Sequence, residues 1–238
     1  MSIDFHEIYR AHADEYDRMV SAEDCDGNLL PALKRAARLD GARVVEVGVG
    51  TGRVTRMLLE AGVSHVIGID TSEAMLSVAR GRLEGSGLER TLLQTGDAAA
   101  IPAADASADV AIAGWTFGHT TQWAAGTWRA RIGQFVDELE RVTRPGGAQL
   151  ILETLGTGAL SPAPPNEALA AYYEFLEAER GYQREAIATD YLFASPEEAA
   201  KACGFFFGAQ FAETILREGW SRVPEWTGLW SRTRDLTG

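Results

Sequence analysis

Three glycines at alternate positions follow a short apolar run in Val44-Val45-Glu46-Val47-Gly48-Val49-Gly50-Thr51-Gly52-Arg53. With no Cβ in the way, backbone at such a turn can approach a ligand closely. A helix starting directly behind it offers free N–H groups and the positive end of its dipole. That arrangement suits a ligand with a nucleoside part and a negative group. A dinucleotide fingerprint needs G-x-G-x-x-G; counted from Gly48 its last position is Arg53, and glycine stands at Gly52 instead. No Gly-Lys-Ser/Thr follows, so the phosphate-loop pattern fails as well. Four more segments sit beside apolar runs: Gly68-Ile69-Asp70-Thr71-Ser72, Thr95-Gly96-Asp97-Ala98, Gly114-Trp115-Thr116-Phe117-Gly118-His119 and Arg144-Pro145-Gly146-Gly147. Asp70 would stand at the carboxyl edge of a sheet beside the glycine loop.

The glycine spacing, with an acidic residue two positions before Gly48, resembles motif I of the class I S-adenosylmethionine-dependent methyltransferases. The four other segments occur in the family's order over Gly41 to Glu153. The resemblance implies S-adenosyl-L-methionine as cofactor and S-adenosyl-L-homocysteine as product. It implies ribose binding by Asp70, and an adenine site at Gly96, Asp97 and Ala98. Gly48, Val49, Gly50, Thr51, Gly52, Thr71, Gly114 and Trp115 would also line the cofactor, with Glu46 assisting from the strand. Tyr16, on a helix ahead of the fold, matches a Tyr-Asp that closes over the methionine end in small-molecule members. Several of these positions have a second reading. Glu46 can be a satisfied buried carboxylate, Asp70 a helix cap, Asp97 a turn residue and Met75 a core residue that also touches adenine.

Methyl transfer asks for alignment of nucleophile, methyl and sulfur, and for exclusion of water. Neither a covalent intermediate nor a metal is expected. An amine acceptor needs its lone pair freed, while a hydroxyl acceptor also needs a base. His119 is the candidate base; a loop histidine bonded to backbone is the competing reading. Trp115, Phe117, His119, Tyr172 and Tyr173 are expected to wall the acceptor pocket. Adenine-specific DNA enzymes carry Asn/Asp-Pro-Pro-Tyr where this chain has Gly114-Trp115-Thr116-Phe117, and neither Cys25 nor Cys203 follows proline as a cytosine C5 nucleophile would. A small organic acceptor with a nitrogen or oxygen nucleophile is therefore expected, methylated by in-line displacement. The alternatives are a nicotinamide-dependent oxidoreductase and a non-catalytic cofactor-binding subunit.

The elements that position these residues read as follows. Apolar runs at Val44–Val47, Val66–Ile69, Thr91–Leu93, Val110–Ala113 and Leu150–Leu152 suit strands covered on both faces. Helical stripes between them predict a doubly wound α/β fold. The resemblance implies a seven-stranded, mostly parallel sheet with an antiparallel last strand near Trp226 to Trp230. Residues 1–40 read as an N-terminal helical cap within one domain spanning 1–238, and residues 156–184 as a helical insertion after the fifth strand. The proline run Pro162–Pro165 and the stripe Leu169, Tyr172, Tyr173 and Leu176 predict an aromatic lid, or else a dimer contact. Ser195-Pro196-Glu197-Glu198 predicts a helix start, Gly204 its end, Phe205-Phe206-Phe207 a strand and Ala209 to Arg217 a helix.

With 34 acidic and 22 basic residues the net charge is −12, and no Lys/Arg cluster stands out. That weighs against a nucleic-acid partner. No apolar run approaches the ~20 residues that span a bilayer. Met1 to Arg10 lacks the apolar block of a secretory signal. Two distant cysteines read as free thiols of a reducing, cytoplasmic compartment.

Overall fold

Val44, Val45, Val47, Val66 and Ile69 are all buried, as strands covered on both faces require. They belong to a seven-stranded sheet in the computed structural model, which describes residues 5–236, with side chains from Glu7 onward. The strands are β1 (Arg43–Val47), β2 (His65–Asp70), β3 (Thr91–Thr95), β4 (Ala108–Gly114), β5 (Thr143–Thr157), β6 (Gln183–Ala188) and β9 (Glu225–Thr233), in the order β3-β2-β1-β4-β5-β9-β6. β1 to β5 pair in parallel, while β9 runs antiparallel between β5 and β6. The order reverses between β1 and β4, which opens a crevice at the carboxyl ends of these strands. A two-stranded ribbon, β7 (Tyr191–Leu192) with β8 (Arg222–Val223), stands apart from the sheet.

Helices cover both faces. On one side α3 (Leu29–Ala36), α4 (Arg53–Glu60) and α5 (Glu73–Leu83) bury Leu33, Leu58 and Leu76 against Val44, Ile112 and Leu150. On the other, α7 (Trp128–Val142) and α8 (Glu167–Glu174) bury Ile132, Val136 and Tyr173 against Val45, Ala113 and Trp230. A short α6 (Thr120–Trp123) precedes α7. A third apolar cluster joins α2 (Ala13–Val20), α9 (Pro196–Phe207) and α10 (Ala209–Glu218) through Met19, Cys203 and Ile215. With α1 (Phe5–Ala11), this group covers the crevice. Side-chain caps fix three helix starts: Ser72 accepts from the Met75 N–H, Asn166 from Leu169 and Ser195 from Glu198.

Several expectations are corrected. Phe205-Phe206-Phe207 is no strand; α9 continues through Gly204 and stops at Gly208, whose φ of +96° suits only glycine. Gly204 serves packing instead, since a Cβ there would lie 2.7 Å from that of Ala212 on α10. The expected 156–184 insertion is not a free cover. Tyr172, Tyr173, Phe175 and Leu176 are buried in the core, Tyr173 packs on Trp230 at 4.4 Å, and its hydroxyl donates to the Thr154 carbonyl at 2.7 Å. Buried this way, the two tyrosines offer no dimer contact either. The insertion runs on directly into β6, an edge strand. No helix among the described residues is long and apolar enough to cross a membrane. Residues 1–4, which open the segment read as lacking a secretory signal, lie outside the described ones.

Candidate active site

The glycine loop joins β1 to α4 at the crevice. Gly48 has φ +75°, and a Cβ there would stand 1.7 Å from Thr116 Oγ1, so no other residue fits. Asp70, at the end of β2, organises the loop from the side. Its Oδ2 accepts the Gly50 N–H at 2.8 Å and its Oδ1 the Ser72 N–H at 2.8 Å. Each oxygen keeps further acceptor capacity toward the crevice. Burial raises the Asp70 carboxyl above its ordinary range, and the Ser72 and Gly50 amides oppose that rise.

A cleft of about 760 Å³ runs outward from this loop. Asp70, Thr71, Met75, Gly96, Asp97, Ala98, Gly114 and Trp115 line it, all of them expected. Arg131 on α7 reaches across and donates to Asp97 Oδ2 at 2.6 Å. Trp115 holds φ +49°, a strained state for an aromatic residue, and its N–H donates to the Leu152 carbonyl at 2.7 Å. That strain turns the chain at the end of β4 into the site.

A second, smaller cavity of about 220 Å³ adjoins it, and Tyr9, Tyr16, Gly48, Gly50, Gly114, Trp115 and His119 border both spaces. Val49 and Thr51 also line it, and Thr51 Oγ1 is buried there without a hydrogen-bond partner. The Tyr9 hydroxyl and His119 Nε2 share a hydrogen bond at 2.9 Å, and the His119 ring stacks on Trp123 at 4.8 Å. Sequence reasoning missed the cavity's charged groups. Arg53 Nη1 donates to Glu23 Oε2 at 2.5 Å, and its guanidinium lies 5.0 Å over the Trp115 ring. Glu153, on β5, accepts the Gly118 N–H at 2.9 Å. Glu225, opening β9, accepts the Thr154 hydroxyl at 2.9 Å. Burial pushes both Glu153 and Glu225 up to about 8, and at Glu225 the nearby Glu23 charge adds to the rise.

Five expected residues stand elsewhere. Phe117, Tyr172 and Tyr173 are core residues and line neither space; Phe117 packs on Phe135 at 5.0 Å. Glu46 shares the helix-facing side of β1 with Val44, by the period of two along a strand. There it accepts the Thr55 hydroxyl at 2.7 Å, and burial pushes it up to about 8. Gly52 also lies off the cleft, against Ala79.

Residues 45–151 match the model of a methyltransferase domain. The uncharacterized methyltransferase GWCH70_2477 of Geobacillus sp. (strain WCH70) is 30% identical over 147 residues, covering 60% of this chain and 67% of its own. The chain belongs to the class I S-adenosylmethionine-dependent methyltransferases. The malonyl-(acyl-carrier protein) O-methyltransferase of Pectobacterium atrosepticum is 34% identical over 146 residues, 61% of this chain but only 51% of its own length. A SAM-dependent methyltransferase of Aquifex aeolicus shares the fold at a TM-score of 0.52 and 17% identity, over 84% of this chain and 87% of that one. The methyltransferase site fits its cofactor. The open space beside Gly50, the spare acceptor capacity of Asp70 and the unmet Thr51 hydroxyl are what a nucleoside with an amino-acid tail would use.

Proposed function

We propose that this methyltransferase transfers a methyl group to a nitrogen or oxygen nucleophile of a small organic acceptor by in-line displacement. One observation carries the reading: the smaller cavity of about 220 Å³ opens onto the cofactor cleft across Gly48, Gly114, Trp115 and His119. S-adenosylmethionine supplies a methyl group already activated by its sulfonium. The chain's part is to hold, align and keep dry. Asp70 would hold the ribose, and Gly96, Asp97 and Ala98 the adenine. Met75 would support the base from beneath. Tyr16 and the glycine loop would hold the methionine end, with Tyr9 and Trp115 closing the passage to water.

For a hydroxyl acceptor, His119 would take the proton, its ring held by Tyr9 and Trp123. Small-molecule specificity is supported by the cavity's size, below the 300–1,000 Å³ usual for ligand sites, and by the net charge of −12, which weighs against a nucleic-acid partner. The two free cysteines, Cys25 and Cys203, support a cytoplasmic location. Arg53 at the third-glycine position of a dinucleotide fingerprint, committed to Glu23, weighs against a nicotinamide enzyme. The test is turnover with methyl-labelled S-adenosylmethionine over a metabolite panel. Acceptor-dependent release of S-adenosylhomocysteine, with the label in a small molecule, is expected. Cofactor binding without turnover on any acceptor would favour a non-catalytic subunit.

A further inference from the structure

Glu153 and Glu225 are 4% and 2% exposed, and both line the smaller cavity. Among the described residues neither forms an ion pair; the cavity's Arg53 bridges Glu23 through Nη1, and its charge reaches Glu225 only at a distance. Glu225 Oε2 has no hydrogen-bond partner at all. A buried carboxylate without a countercharge is costly and is retained where something supplies that charge. Tyr9, Tyr16 and Tyr191, whose ring faces attract cations, line the same cavity. From this geometry we infer that the acceptor is a small amine, held as its ammonium ion by Glu153 and Glu225 within the aromatic cavity.

The inference rests on the methyl-transfer reading above and narrows it to nitrogen. In the empty cavity burial favours the protonated carboxyls; entry of the ammonium supplies the countercharge that ionises them, and one of the two carboxylates then takes a proton from the ammonium and frees its lone pair. The freed lone pair forms the new N–C bond as the S–C bond breaks, with its electron pair left on sulfur. The product is an N-methylammonium ion and a neutral thioether, and the proton on the carboxylate leaves to solvent. An anionic acceptor such as a malonyl carboxylate would add its charge to a cavity that sets Glu23, Glu153 and Glu225 against Arg53, and is disfavoured.

The test uses the full chain saturated with S-adenosylhomocysteine, whose own titration comes first. n-Butylamine, ethanolamine and benzylamine are then titrated beside n-butanol, ethylene glycol, benzyl alcohol and malonate. The amines should bind at least tenfold more tightly than their matched alcohols. Glu225→Gln and Glu153→Gln should each weaken amine binding about tenfold while leaving S-adenosylhomocysteine affinity within about threefold. Amines binding no better than alcohols or malonate, or both variants binding amines like wild type, would overturn the inference. Failure to bind S-adenosylhomocysteine would instead strike at the cofactor assignment. The wild-type comparison decides the matter even if a variant folds poorly.

Discussion

Replacing Asp70 by alanine should do two separable things. The two amide bonds it accepts, from Gly50 and Ser72 at 2.8 Å each, vanish. Bonds to a charged acceptor are worth about 1.5–3 kcal/mol apiece. Because water can replace part of that at a half-buried site, a net loss of about 1.5–3 kcal/mol in all is the reasonable figure. For a domain of this size each kcal/mol is worth about 2–4 °C, so the melting temperature should fall by roughly 3–12 °C. Binding suffers through a different loss, that of the acceptors for the ribose hydroxyls. Another 1.5–3 kcal/mol or so corresponds to roughly ten- to a hundredfold weaker affinity. Calorimetric titration with S-adenosylhomocysteine well below the melting range reads the second effect free of the first. Asp70→Asn, which keeps one carbonyl oxygen, should fall between wild type and alanine. If Asp70→Ala melts earlier yet binds S-adenosylhomocysteine like wild type, Asp70 only shapes the loop and the ribose assignment is refuted.

Arg53→Met should destabilise the fold by about 3–5 kcal/mol by leaving Glu23 buried without its cation, and adding Glu23→Gln should recover most of that loss in thermal melts. Burial raises the Glu153 and Glu225 carboxyls from 4.5 to about 8 in the folded chain. Their contribution to stability is thus complete below the unfolded value and lost as pH rises through about 8. Ligand-free protein should accordingly melt lower near pH 9 than near pH 6, with a slope that Glu225→Gln reduces; a flat profile would contradict the burial of these groups. Tyr173→Phe should cost about 0.5–1.5 kcal/mol by removing the bond to the Thr154 carbonyl, with S-adenosylhomocysteine affinity unchanged. Deleting residues 163–180 should yield unfolded protein in circular dichroism, since it strips Tyr172, Tyr173 and Phe175 from the core; a folded, active deletion would restore the lid.

The cleft proposed for the cofactor was legible because local rules fix the segments that line it. A buried strand, alternate glycines, a helix start and an acid ending the next strand all lie close in the chain, and Ser72 caps its helix as its type demands. The smaller cavity, proposed for the acceptor, was not. Glu23, Arg53, Glu153 and Glu225 come from four distant segments, and only the tertiary fold brings them to one cavity. β6 escaped notice because half of its residues, Gln183 to Glu185, are polar and exposed at a sheet edge. Three adjacent phenylalanines read as a strand by residue type, but the capped start at Ser195 and the contacts with α10 carried the helix through them. Tyr172 and Tyr173 fit both a pocket wall and a core stripe; Trp230, far along the chain, decided for the core.

The most direct measurement follows S-adenosylmethionine carrying a labelled methyl group through a reaction with the full chain and the panel of small amines. The account predicts that S-adenosylhomocysteine appears only when an acceptor is present, that the label is found in an N-methylated amine one methyl heavier, and that Asp70→Ala and Glu225→Gln both slow the transfer. No acceptor-dependent S-adenosylhomocysteine, or label recovered in nucleic acid or protein rather than in the amine, would contradict it.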